Sequence, residues 1–185
     1  MKILIVVDML NDFCHKDGAL SKSIIDGKLY AQGIIEHVAA RVKEYRDNGW
    51  LIIWLCDAHA VNDKEFERFP KHAVTDTWGA QIIDELGSDV AKEAAYEYVI
   101  EKTRYSGFYG TRLSKVLSIR AYQEPIYEVC GVCTSICVMD TVGGLANRDY
   151  KTVVNVKGVA DFDPNAHEQA LARMKNLYGA DIIGG

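Results

Sequence analysis

No cluster of basic residues occurs anywhere in this chain of 185 residues, and Lys plus Arg total 21 against 26 Asp plus Glu, a formal charge of −5. Without a positive track there is nothing to follow a phosphate backbone, so nucleic-acid partners are disfavoured. Long hydrophobic runs are missing as well. The apolar stretch from Ile3 to Val7 meets Asp8 at once, far short of the roughly 20 residues that cross a bilayer and of a signal-peptide core. The expectation is a cytoplasmic protein without a membrane partner. An even cysteine count is also lacking: there are 5, and in a chain read as unexported they are expected to be reduced thiols and not a disulfide framework. There is no internal repeat, no low-complexity segment and no linker long enough to divide the chain. A single domain over residues 1–185 is expected, and a hydrophobic fraction of 49% is ample for its core.

What is present is an alternation of two patterns. Short runs rich in Val, Ile and Tyr, bounded by polar residues or Gly, predict strands at Ile3 to Val7, Leu51 to Leu55, Tyr96 to Ile100, Ile126 to Val129 and Thr152 to Val156. Between them, Ile34, Ile35, Val38, Val42 and Tyr45 recur at three- and four-residue spacing and predict a helix from Lys28 to Asp47, ended by Asn48-Gly49. Further helices fit Thr111 to Arg120, Ser135 to Arg148 and Asn165 to Leu177. Strands alternating with helices imply an α/β fold: an open, mostly parallel sheet with right-handed crossovers and helices on both faces, a Rossmann-like three-layer sandwich. Ligands in such sheets bind beyond the carboxyl ends of the strands. Asp8, Asp57, Lys102 and the segment Gly131 to Cys137 all fall at such ends.

Three groups there could carry chemistry. Thr134 is placed to cap a helix whose first turn contains Ser135, Ile136 and Cys137, where free N–H groups favour a thiolate and could hold an oxyanion, with the N–H groups of Cys133 and Cys137 as the donors. Taken alone, Cys137 reads equally as a small core residue. Asp8, if buried, needs a partner, and Lys102 at a neighbouring strand end would supply one while leaving the carboxylate able to exchange a proton with a thiol. Separately, an Asp there is often a turn residue and a Lys is usually solvated. Asp57-Ala58-His59, followed by Glu65 and His72, offers carboxylates and imidazoles to a first-row metal such as zinc, iron or manganese, although loop histidines are more often merely solvated. Cys130-Gly131-Val132-Cys133 has redox spacing, but its first Cys is expected to end a strand where a redox pair would open a helix. Cys14 and Cys56 read as structural, and His15, His37 and His167 default to surface or capping roles.

In order along the chain, Val7-Asp8-Met9-Leu10-Asn11-Asp12-Phe13-Cys14, Lys102-Thr103-Arg104-Tyr105-Ser106-Gly107-Phe108-Tyr109-Gly110-Thr111 and Gly131-Val132-Cys133-Thr134-Ser135-Ile136-Cys137-Val138 resemble the three motifs of the isochorismatase-like cysteine hydrolases. Within that superfamily the chain is similar to the nicotinamidases, or pyrazinamidases, over nearly its whole length. The resemblance implies Asp8 as catalytic carboxylate, Lys102 as catalytic lysine, Cys137 and not Cys133 as nucleophile, and a cis peptide between Val132 and Cys133. It implies Asp57, His59 and His72 as ligands of one divalent metal ion, most simply zinc, with Glu65 where some nicotinamidases place a further ligand. Phe69 falls where relatives carry a ring-stacking aromatic, and Phe13 could cover the opposite face. The stretch from His59 to His72 is shorter than in some relatives, and Lys71 replaces a frequent Pro.

The activity so implied is hydrolysis of nicotinamide to nicotinate and ammonia through a thioester on Cys137, in a family whose members often assemble as homo-oligomers. A second reading keeps the triad and changes the substrate to another small amide, a ureido compound or a vinyl ether. A third, non-enzymatic reading makes Cys130, Cys133 and the Asp57 cluster a metal or redox sensor, and it leaves Asp8 and Lys102 unexplained.

Overall fold

The computed structural model describes residues 2–25, 27–87, 96–121 and 124–185. In chain order the main elements are β1 (Lys2–Val7), a short helix α1 (Asn11–Cys14), β2 (Ile24–Ile25), β3 (Lys28–Leu29), α2 (Gln32–Asp47), β4 (Leu51–Asp57), β5 (Glu97–Lys102), α3 (Leu113–Ala121), β6 (Ile126–Val132), α4 (Met139–Ala146), β7 (Thr152–Ala160), α5 (Pro164–Asn176) and β8 (Asp181–Ile183). Six strands form one sheet in the order β5-β4-β1-β6-β7-β8, and every pairing in it is parallel. The α/β architecture expected from the sequence is therefore the one adopted.

Because side chains alternate along a strand, each central strand feeds two cores. Leu4, Val6, Ile52 and Trp54 point to one face and pack with Ile34, Val38, Val42 and Tyr45 of α2. Ile3, Ile5, Leu51 and Ile53 point to the other, against Leu113 and Leu117 of α3, Val142 and Leu145 of α4, and Leu171 and Met174 of α5. Both faces are thus covered, and the strands read as continuous apolar runs. The chain leaves β1 toward β4 and β5 and returns to β6 on the other side of β1, so the topological switch lies between β1 and β6. Gly131 makes that junction possible. It pairs with Val7 at φ +112°, and a Cβ on it would lie 2.0 Å from the Val7 carbonyl oxygen.

Several boundaries differ from the sequence expectation. Lys28 and Leu29 are not helical; they pair with Ile24 and Ile25 in a small antiparallel ribbon, and α2 begins at Gln32. The apolar spacing is carried by Ile34 onward, so nothing in the pattern reported on the residues before it. The helix expected from Ser135 starts instead as a π-helical turn over Thr134–Val138 and becomes α-helical at Met139. Strand β6 does not end at Cys130 but runs on to Val132. Strand β7 extends to Ala160 across a register shift, and β8, three residues at the sheet edge, has no counterpart in the expected strands. Among the described residues no helix is long and apolar enough to cross a membrane.

Candidate active site

The carboxyl ends of β1, β4, β5 and β6 converge. Asp8 follows β1 directly, in the left-handed region at φ +49°, and its N–H donates to the Leu55 carbonyl at 2.9 Å. Asp57 and Lys102 close β4 and β5 as register partners. Lys102 is buried, its Nζ lying 2.7 Å from Asp8 Oδ2 and 2.6 Å from Asp57 Oδ1, and it donates to Cys137 Sγ at 3.4 Å. Asp8 Oδ1 accepts the Asp57 N–H at 2.8 Å, and ligand atoms of Asp8, Asp57 and Cys137 all lie within 4.8 Å of one another. The sequence-predicted trio is therefore brought together, and Lys102 is enclosed and not solvated.

Electrostatics in this cluster follow from burial. Desolvation and then the charge of Asp57, opposed by Lys102, push the Asp8 carboxyl up to about 7. Burial also raises the Cys137 thiol well above its ordinary value, with Lys102 pulling it back and Asp8 and Asp57 adding to the rise. Burial thus works against the thiolate that the helix terminus favours, and Asp8 lies close enough to accept the thiol proton. The expected Thr134 cap is also corrected. The turn begins at Cys133 with no side-chain cap, while Thr134 Oγ1 lies 2.9 Å from His167 Nδ1. Instead, Ser135 donates its N–H to Asp161 Oδ2 at 2.7 Å. The Cys133 carbonyl accepts from Ile136 and Val138 at 3.1 and 3.2 Å, passing over the N–H of Cys137. The Val132–Cys133 peptide is cis, as the resemblance implies.

Beside the trio, Asp57, His59 and His72 offer three buried ligand atoms within 4.8 Å of one another. Asp57 Oδ2 is 3.6 Å from His59 Nε2 and 3.9 Å from His72 Nε2, and Glu65 Oε1 is 4.0 Å from His72 Nε2. The other ring nitrogens are occupied: His59 Nδ1 lies 3.2 Å from Asp63 Oδ2 and His72 Nδ1 lies 2.7 Å from the Pro70 carbonyl. Such outer contacts turn both Nε2 atoms toward one point, as metal-binding histidines require. His59 Nε2 and Glu65 Oε2 are buried without a hydrogen-bond partner among the described residues, a costly condition that a cation would relieve. One carboxylate with two imidazoles, and a second carboxylate close by, fits a first-row divalent metal.

Between the trio and this cluster lies a narrow pocket of about 20 Å³, lined by Phe13, Phe69, Tyr105, Ile136, Phe162, Cys133 and Cys137 among others. That is room for about one water. Phe13 meets His72 edge-on at 5.4 Å and Phe69 meets it at 6.3 Å, so both predicted aromatics line the pocket. Asp63, Tyr105, Phe162, Asp161 and His167 were not singled out as site residues from the sequence. Only Asp63 carried a signal, being four residues after His59 and an Asx-type cap on Glu65 N–H at 2.9 Å. All five cysteines are buried and free; Cys14 packs its Sγ 3.9 Å from Met9 Sδ.

The sequence and the fold have known counterparts. The sequence matches the isochorismatase domain over residues 2–184. The chain belongs to that family. It is 33% identical to the uncharacterized isochorismatase family protein PncA of Bacillus subtilis, covering 98% of each chain. The isochorismatase-like fold is shared with the crystal structure of nicotinamidase PncA from Bacillus subtilis, at a TM-score of 0.87 and 32% identity over 98% of both chains. The pyrazinamidase of Pyrococcus horikoshii in complex with zinc superposes at a TM-score of 0.82 with 28% identity, covering 100% of this chain and 99% of that one.

Proposed function

We propose that this isochorismatase-family amidohydrolase cleaves nicotinamide, and by the same chemistry pyrazinamide, to the carboxylate and ammonia. The observation that carries the reading is Lys102, enclosed between Asp8, Asp57 and Cys137 at 2.7, 2.6 and 3.4 Å. A buried ammonium tied to two carboxylates and a thiol is costly as structure alone; as chemistry it supplies a base, a nucleophile and the charge that steadies both.

Asp8 takes the thiol proton as Cys137 Sγ attacks the amide carbon. The N–H groups of Cys133 and Cys137 hold the oxyanion, and the Asp57 N–H keeps Asp8 aimed. Collapse breaks the C–N bond, and the proton on Asp8 goes to the departing ammonia. Asp8, again a base, then deprotonates the water that cleaves the thioester, restoring the thiol, while Lys102 balances the charge throughout. Phe13 and Phe69 flank the ring.

Asp57, His59 and His72, with Glu65 as a fourth donor, would hold a divalent metal, for which zinc fits the donor set. Bound there, it would supply a Lewis-acid contact for a ring nitrogen and offset the excess negative charge of Asp8 and Asp57 over Lys102. Free cysteines throughout suit a reducing compartment such as the cytoplasm. The test is ammonia release from nicotinamide before and after chelation, with alkylation of thiols in parallel. Activity lost to both treatments, with the chelated enzyme recovering on adding zinc and the alkylated enzyme not, supports the reading; a protein that carries metal yet releases no ammonia sinks it.

A further inference from the structure

The nucleophile turn is held from outside the trio. Thr134 and Ser135 lie between Cys133 and Cys137, the two residues whose N–H groups the proposed reaction uses. Ser135 sits in the first turn, where an N–H has no partner within the helix. Asp161, immediately after β7 and only 5% exposed, accepts that N–H on Oδ2 at 2.7 Å and takes the Asp163 N–H on Oδ1 at 3.2 Å. Both of its oxygens are engaged. One turn into α5, His167 reaches Thr134 Oγ1, and Phe162, between Asp161 and Asp163, lines the pocket. The β7–α5 junction therefore grips two consecutive residues of the turn and forms part of the pocket wall.

We propose that Asp161 is a positioning residue for the hydrolysis, fixing the peptide planes from Cys133 to Cys137 so that their N–H groups meet the oxyanion; this rests on the reading in the preceding subsection. A buried carboxylate on a first-turn N–H makes a short, charge-assisted bond favoured by the helix dipole. Rigid placement matters because a displacement of about 1 Å in a reacting geometry can cost about 10²-fold. After burial, the charge of Asp161 is the leading cause that holds the Cys133 thiol well above its ordinary value.

The test compares wild type, Asp161→Asn and Asp161→Ala, loaded with metal, for kcat and KM in ammonia release from nicotinamide. Bound metal and the rate at which iodoacetamide alkylates Cys137 are read alongside. Alkylation displaces iodide and forms no oxyanion, so it reports sulfur reactivity without the positioning that hydrolysis needs. In Asp161→Ala we expect kcat to fall about 10²-fold with KM, metal content and alkylation within about threefold of wild type. Asp161→Asn keeps one acceptor where the carboxylate uses two, so its kcat falls about tenfold, and it carries the test alone if the Ala variant does not fold. Unchanged kcat, or hydrolysis and alkylation declining in parallel, overturns the proposal. A wild type silent on nicotinamide removes the proposed function and this role with it, whereas an active wild type matched by its variants removes only the role of Asp161.

Discussion

Asp57 and Lys102, register partners at the ends of adjacent strands, form a buried 2.6 Å ion pair, and the other oxygen of the same carboxylate faces His59 and His72. One side chain thus belongs both to the charge network around Cys137 and to the candidate metal-ligating cluster. Asp57→Asn keeps an acceptor for Lys102 but removes the charge that both sides use. The expected result is bound metal well below one ion per chain and ammonia release down by about 10²-fold or more. Added zinc should restore the metal fully and the activity only in part. Full recovery of activity would confine Asp57 to the metal.

Cys137→Ala removes the sulfur and leaves every proposed ligand in place. Turnover should vanish while metal content and the unfolding midpoint stay near those of the parent. Hydrolysis retained in this variant would count decisively against a covalent intermediate.

Asp63→Ala acts one layer further out. Asp63 holds His59 Nδ1, caps the Glu65 N–H and is itself held by Arg104 at 3.0 and 3.1 Å. Losing it should weaken metal affinity by about 10–100-fold, read by chelator competition, with activity returning at saturating metal. An affinity equal to that of the parent would show that His59 is oriented by other means.

Glu128→Ala separates stability from chemistry. Glu128 accepts Arg41 Nε at 2.7 Å, Arg41 Nη2 at 2.5 Å and the Tyr45 hydroxyl at 3.0 Å, fastening α2 to β6. Removing it leaves Arg41 paired only with Glu44 and the Tyr45 hydroxyl without its acceptor, and should cost about 2 kcal/mol in denaturant unfolding. Activity per folded molecule should stay within about twofold, since none of these groups lines the pocket. A loss of activity without a loss of stability would contradict that division.

How much of this was legible beforehand differs by layer. Asp8, Asp57 and Lys102 stood out because a charged residue at the end of an apolar strand is poorly suited to a core, Cys137 because it falls in the first turn of the helix after such a strand, and a parallel sheet gathers these ends on one rim. His59, Glu65 and His72 were legible as a donor set of the right types. Asp161, His167, Tyr105 and Phe162 were not, because their loop or helix positions carry no periodic pattern, and a His or Asp at a helix start is ordinary capping chemistry. The effect of burial on the thiol was also out of reach: helix-terminus reasoning favours a thiolate, whereas burial, which only packing supplies, pushes the thiol the other way.

By itself, the amino-acid order determined the alternation of strands and helices, hence a parallel sheet, and with it which chemical groups would meet at the carboxyl edge, because hydrophobic periodicity and strand-end polarity are local properties. Tertiary structure alone decided how those groups share charge: that Lys102 bridges two carboxylates and a thiol, that Asp57 faces both ways, that a carboxylate from beyond β7 grips the nucleophile turn, and that a narrow aromatic-lined pocket lies beside them. Distance and desolvation set those relations, and both arise only when segments far apart in the chain are packed together away from water.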